Sequence, residues 1–221
     1  MKSSQKSKTN YIRNKYINLF SFDANFQRAY LYERNELYSK IVETIEGLKI
    51  SSLIDIGCAY GNLVEIANKR GLNAYGIDFP IINLKKYHEQ SALSKEKYLY
   101  GSIEDKKTIK KIKEMNVDCL CLIDTLRFIK NIKNINEISA KFIIIKEVSN
   151  NYLMRCKRKN QFDYRLYSPS EIIKEFMNYK PLSIYCSKFI LKVNKPTNFI
   201  LRIFNFLFPT YIIILKSKND F

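Results

Sequence analysis

The stretch SSLIDIGCAYGNLVEIANKRGLNAYGID, residues 51–78, decides how the rest of the chain is read. An apolar run ends in Asp55. A turn bearing Gly57 and Gly61 follows, then a helical segment, then a second apolar run ending in Asp78. Short apolar runs joined by a helix predict a parallel βαβ unit. In an open parallel sheet, ligands lie beyond the carboxyl ends of the strands, which puts both acids and the turn at the ligand-binding edge. Gly57 lets the chain turn tightly, and Gly61 lets it approach the sheet or a ligand. The P-loop pattern is absent, since no Gly-Lys-Ser/Thr follows. G-x-G-x-x-G is absent too, because position 59 is Ala and the glycines are four apart. A pyrophosphate therefore lacks its usual seat. Asp78 stands where a carboxylate accepts both hydroxyls of a ribose, and Asp55 would favour a nearby sulfonium or amine. The pattern suits a neutral or cationic adenosine compound; a structural βαβ unit without a ligand is the alternative.

Outward from this unit the alternation continues. A helix is expected over 28–48, where Leu37, Ile41, Ile45 and Leu48 recur at helical spacing. Strands are expected at 52–56, 74–77, 98–100, 117–123, 142–146, 183–189 and 211–215, with helical stretches between them, which gives a mostly parallel sheet covered on both faces. Residues 148–167 break the rhythm with a polar, basic excursion too long for an ordinary turn, of the kind that closes over a site. Helical order resumes at SPSEIIKEFM, with Ser168 as N-cap, Pro169 at the first position and Glu171 completing a capping box. Near the end, residues 199–208 read as a short amphipathic helix, then a Pro209 turn and an edge or near-edge strand.

Composition bounds the partners. The chain has 221 residues, 46% of them apolar, enough for one α/β domain with a core. Its net charge of +17 would draw it to anionic partners, although the wealth of Lys, Ile, Asn, Tyr and Phe also fits an AT-rich genome. No arginine-rich tract appears. Five cysteines, an odd number without a CxxC pair, predict buried free thiols in a reducing compartment, here cytoplasmic. No metal site is expected, since His88 has no histidine or cysteine near it in sequence. The basic start lacks the apolar core of a secretory leader. The apolar pieces of the tail, interrupted by Arg202 and Pro209, are shorter than a spanning helix. Peripheral membrane contact through 199–208 fits this pattern.

LIDIGCAYGNL followed by GIDFP resembles the first two motifs of the class I S-adenosylmethionine-dependent methyltransferases. GSIED past the third strand, DCLCLIDTLRFI at the fourth and YRLYSPSEI after the fifth are similar to later segments of that family, the last in its small-molecule, lipid and sugar subgroup. The likeness spans roughly residues 35–215 and is strongest over 53–79. It implies a Rossmann-like α/β fold, a mostly parallel seven-stranded sheet with helices on both faces and an antiparallel last strand. A basic N-terminal extension and cap would occupy residues 1–30 and the methyltransferase domain 31–221. It also implies that Gly57, Cys58 and Gly61 wrap the methionine part of S-adenosylmethionine, that Asp55 orients that loop or the amino group through water, and that Asp78 binds the ribose. Phe79, Ser102 and Ile103 would border the adenine. Asp124, Thr125 and Leu126 would line the floor between cofactor and acceptor. Two departures stand out: Ala59 replaces a common middle glycine, and Arg127 with Phe128 replaces a frequent His or Glu.

The implied function is methyl transfer to a small-molecule, sugar or lipid acceptor. Asp124 and Glu147 are the candidate proton acceptors and Tyr167 a candidate orienting group. Arg127, Tyr164 and Tyr167 are candidate acceptor contacts, Arg127 for an anionic one. The charge keeps an RNA methyltransferase as an alternative, against which the Asn/Asp-Pro-Pro-Tyr signature is missing. The third reading is a catalytically inactive binding protein on the same fold.

Overall fold

A computed structural model describes residues 24–80, 82–150, 166–186 and 192–220. Among the described residues eight strands form one sheet in the order β3-β2-β1-β4-β5-β8-β6-β7. Helix α1 (Ala24–Gly47) is the first element among the described residues, and the chain then enters the sheet at its centre through β1 (Ser52–Ile56). Helix α2 (Asn62–Lys69) leads to β2 (Asn73–Asp78), and α3 (Ile82–Glu89) to the edge strand β3 (Tyr98–Tyr100). Helix α4 (Lys106–Met115) crosses back to β4 (Cys119–Ile123), on the other side of β1, and the short α5 (Lys133–Asn136) precedes β5 (Phe142–Val148). These five strands are parallel. After α6 (Pro169–Glu175), β6 (Tyr179–Cys186) leaves a gap that β8 (Thr210–Ser217) fills, antiparallel to both β5 and β6, once β7 (Lys192–Asn194) and α7 (Asn198–Leu207) have been made.

Two findings differ from the expectation. The sheet has an eighth strand, because the short β7 pairs antiparallel with β6 beyond the seven. The strand after Pro209 is not at or near an edge: it lies between β5 and β6. The run Tyr211–Leu215 is buried throughout, as an interior strand requires. Pro209 precedes the strand, so its missing N–H costs the ladder nothing, and its carbonyl accepts from Ser149 N at 2.8 Å.

The core lies in two layers, one on each face. Alternate residues of β1 divide between them: Leu53 joins Tyr38, Ile41 and Ile45 of α1 and Leu63 and Val64 of α2, while Ile54 and Ile56 join the layer under α4, α6 and α7. The buried stripe of α1 runs through Tyr38, Ile41, Val42 and Ile45, with Leu37 and Leu48 at its flanks. The capping box forms as the sequence predicts: Ser168 Oγ accepts from Glu171 N at 3.2 Å, and Glu171 Oε2 accepts from Ser168 N at 2.7 Å. Cys58, Cys119, Cys121 and Cys186 are buried free thiols. Among the described residues no helix is long and apolar enough to cross a membrane.

Candidate functional site

The strand order reverses at β1, which has β2 on one side and β4 on the other, and the crevice at this switch point is where open sheets hold ligands. The loop after β1 is built for that place. Gly57, Ala59 and Gly61 all have positive φ (79°, 48° and 81°). Gly57 N and Cys58 N both donate to the carbonyl of Ile77, at 2.8 and 3.1 Å, which clamps the loop to β2. Gly61 then caps α2. A Cβ at Gly57 would lie 2.4 Å from Thr125 Oγ1, so glycine is required by space as well as by conformation.

Asp78 ends β2 with a buried carboxylate. Its Oδ2 accepts from Ala59 N and its Oδ1 from Phe79 N, both at 2.7 Å. Burial pushes its pKa up to about 6, with the two backbone donors pulling the other way. Asp55 is also buried, and its Oδ1 has no hydrogen-bond partner among the described residues. Burial, reinforced by the charge of Asp78 and opposed by Arg34, pushes its pKa up to about 8.

Gly57, Asp78, Phe79, Ser102, Ile103 and Thr125 line one cavity at the ends of β1, β2 and β4. It measures about 60 Å³, well under the roughly 300 Å³ at which small-molecule pockets begin. Thr125 packs against Gly57 within it, and Ala59 N donates to its lining carboxylate Asp78. The residues nevertheless suit an adenosine ligand. A carboxylate offers about four acceptor positions, so Asp78 can take two ribose hydroxyls besides its two amides. Asp55 supplies an uncommitted buried acceptor, and the loop carries no Cβ at Gly57 or Gly61. A roomier hollow of about 560 Å³, lined by Lys40, Leu48, Tyr185 and Lys192, lies between the end of α1 and β6–β7, remote from these residues.

Beyond Thr125 the ends of β4 and β5 carry a charge cluster. Asp124, at positive φ (59°), pairs with Lys146 and Arg127, and with Arg34 Nη2 of α1 at 3.3 Å. Burial raises the Asp124 pKa, but the three cations outweigh it and hold the carboxyl below its usual range. Arg127 Nε also lies 3.1 Å from Glu147 Oε2, and its backbone N–H donates to Glu147 Oε1 at 3.3 Å. Burial, only partly offset by Arg127, lifts Glu147 to about 7. The Arg127 guanidinium is thus engaged by two carboxylates and almost wholly buried. Tyr167 lies in the core beside β5, where its carbonyl accepts from Tyr211 Oη at 2.9 Å. Tyr164, like the rest of 151–165, falls outside the described residues.

Three participants escaped the sequence reading. His88 is buried under the loop, with Nε2 2.8 Å from the Ala59 carbonyl and Nδ1 3.0 Å from Tyr100 Oη. Its ring stacks on Tyr98, centroids 3.9 Å apart. Arg34 and Lys146 complete the shell around Asp124. None of the three sits in a local motif.

No family model matches the sequence, and no curated protein does. Solved structures match it well in shape. A S-adenosylmethionine-dependent methyltransferase from Clostridium acetobutylicum superposes with a TM-score of 0.62 at 12% identity, over 88% of this chain and 99% of that one. The magnesium protoporphyrin IX methyltransferase of Synechocystis, solved with bound SAH, gives 0.57 at 12%, over 95% of each chain. A complex from Haloferax volcanii, between a methyltransferase activator and the putative methyltransferase, contains a match at 0.60 and 10%, over 86% of this chain and 92% of that one. The fold is therefore the Rossmann-like fold of the class I S-adenosylmethionine-dependent methyltransferases.

Proposed function

We propose that this protein transfers a methyl group from S-adenosylmethionine to a small-molecule, sugar or lipid acceptor. The observation that carries the reading is the convergence of Gly57, Asp78, Phe79, Ser102, Ile103 and Thr125 on one cavity at the switch point of this fold. S-adenosylmethionine, when bound, supplies an activated methyl on a sulfonium. Asp78 takes the ribose. Phe79, Ser102 and Ile103 border the adenine. Gly57, Cys58 and Gly61 hold the methionine end, with Asp55 beneath orienting that loop or the amino group. Asp124 and Thr125 form the floor on the acceptor side.

Glu147 is the residue suited to take a proton from the acceptor, since a pKa near 7 leaves it part-ionised at neutral pH. Asp124, held ionised by three cations, is suited to orienting rather than to accepting a proton. Arg127 ties the two carboxylates together, and Tyr167 orients from the flank of β5. A non-catalytic binder on this fold is the second reading, favoured by the engagement of both Asp124 and Glu147 with cations.

Calorimetric titration with S-adenosylmethionine and S-adenosylhomocysteine, repeated on Asp78→Ala, tests the site. Micromolar binding that the variant loses supports it; no binding by the folded wild-type chain removes it. Turnover on a screened acceptor, lost in Glu147→Gln with cofactor affinity retained, separates enzyme from binder.

A further inference from the structure

Helix α7 (Asn198–Leu207) turns its apolar side both ways. Leu201 and Phe204 enter the core. On the opposite side Phe199 is 70% exposed, Phe206 78% and Leu207 58%. Positions 199, 203 and 206 recur at helical spacing, so Phe199, the half-buried Ile203 and Phe206 form one outward stripe, with Leu207 and the exposed Arg202 at its flanks. Single exposed apolar residues are ordinary, but two phenylalanines and a leucine on one short helix form a patch that asks for an occupant.

The charge around it says which. No Asp or Glu occurs between Glu175 and Asp220, while the same stretch carries Lys195 just before the helix and Arg202 on it. Lys195 is exposed. A second copy of the chain would bring the same cations face to face in a two-fold pairing, and like charges oppose that. An anionic surface is complementary. Large apolar side chains flanked by cations are the device by which a helix lies in a lipid interface, apolar face in the acyl boundary and cations at the headgroups.

We propose that α7 is a docking face for an anionic lipid bilayer, with Phe199, Phe206 and Leu207 inserted and Lys195 and Arg202 against the headgroups. The helix also reaches the functional edge. Ser149, just past β5, donates from Oγ to the Asn205 carbonyl at 2.9 Å and from its backbone N–H to the Pro209 carbonyl at 2.8 Å. Leu207 therefore lies at the carboxyl end of β5, the edge that holds the candidate site. A bilayer seated on α7 would lie beside that edge. The surface stands independently of the cofactor reading.

The test is co-sedimentation of the full chain with phosphatidylglycerol/phosphatidylcholine vesicles and with phosphatidylcholine alone. Binding to the anionic vesicles only is expected, reduced at least about tenfold by Phe199→Ser/Phe206→Ser with thermal melting unchanged. The sequence contains no Trp. Phe206→Trp therefore provides a single reporter, whose emission should shift to the blue on vesicle addition even if the serine variant folds poorly. Three results would overturn the proposal: no wild-type binding to anionic vesicles, binding unaffected by the double substitution with no shift of the reporter, or a wild-type dimer in light scattering that the double substitution converts to monomer.

Discussion

Nε2 of His88 lies 2.8 Å from the carbonyl oxygen of Ala59. A carbonyl only accepts, so Nε2 carries the proton, and Nδ1 in the neutral ring accepts from Tyr100 Oη. Ala59 is thereby held from both sides, its N–H on Asp78 and its C=O on His88. Replacing His88 by Ala frees one side of the loop at a site that glycines have already made pliable. We expect a stability loss of about 1–3 kcal/mol at pH 7.5, read by urea denaturation. Burial lowers the His88 pKa below its usual value, with the Ala59 bond pulling the other way. The unfolded chain then binds the proton more readily. The stability that the neutral ring contributes is present above about pH 6.5 and is lost as pH falls below it. The difference between wild type and His88→Ala should therefore shrink between pH 7.5 and 5.

Asp55 works in the opposite direction. Its folded pKa of about 8 exceeds the ordinary 3.8, so its contribution is present below about pH 4 and is lost as pH rises through 8. Asp55→Asn removes that loss without changing shape. We expect the variant to melt higher than wild type at pH 8, by about 2 kcal/mol or roughly 4–8 °C, with the gap closing toward pH 4. A constant gap across that range would show that burial of the charge is not the cause.

Gly57→Ala meets two obstacles, the 2.4 Å approach to Thr125 Oγ1 and a φ of +79°. Only the first can be relieved from outside. Thr125→Ala removes the Oγ1 and the methyl and leaves Cβ at 3.1 Å. The double variant should recover part of the lost stability in thermal melts, and about 1 kcal/mol or more of backbone strain should persist. Full recovery would mean that the conformation carries no penalty.

Arg127→Met strands Glu147, which is almost fully buried, beside Asp124. Breaking such a pair costs about 3–5 kcal/mol. Adding Glu147→Gln should return most of it, since Asp124 keeps Lys146 and Arg34. Chemical denaturation of the two variants at pH 7.5 decides: equal instability would show that the guanidinium acts through packing rather than charge.

What the sequence disclosed was local. Asp55, Gly57, Gly61 and Asp78 belong to one βαβ unit, and strand ends in such a unit have only one geometry, so their neighbourhood could be read from spacing alone. The capping box at Ser168 was legible for the same reason. The partners of these residues were not. Ala59 and His88 are separated by a helix and a strand, and Arg34 meets Asp124 only because α1 packs across the sheet. Side chains of that kind carry no periodicity. Pro209 misled because a proline beside a strand suggests an edge, whereas here it stops one residue short of the ladder. Peripheral contact through 199–208 was legible, but not which phenylalanines of α7 face outward: an amphipathic pattern tells that one face is apolar, and this helix is apolar on both.

The two rims of the sheet are alike in a way that bears on solubility. Both outermost strands, β3 and β7, are only three residues long. β3 covers Gly76, Ile77 and Asp78, and so leaves the first half of β2 uncapped. There Lys97 reaches over, its Nζ 2.7 Å from Asn73 Oδ1 and 4.5 Å from the centre of the Tyr75 ring. At the far rim β7 begins with the exposed Lys192. An isoleucine-rich sheet with long bare margins would recruit further strands from other molecules. Brief margins carrying ammonium groups give such a strand a poor template, which disfavours edge-to-edge growth.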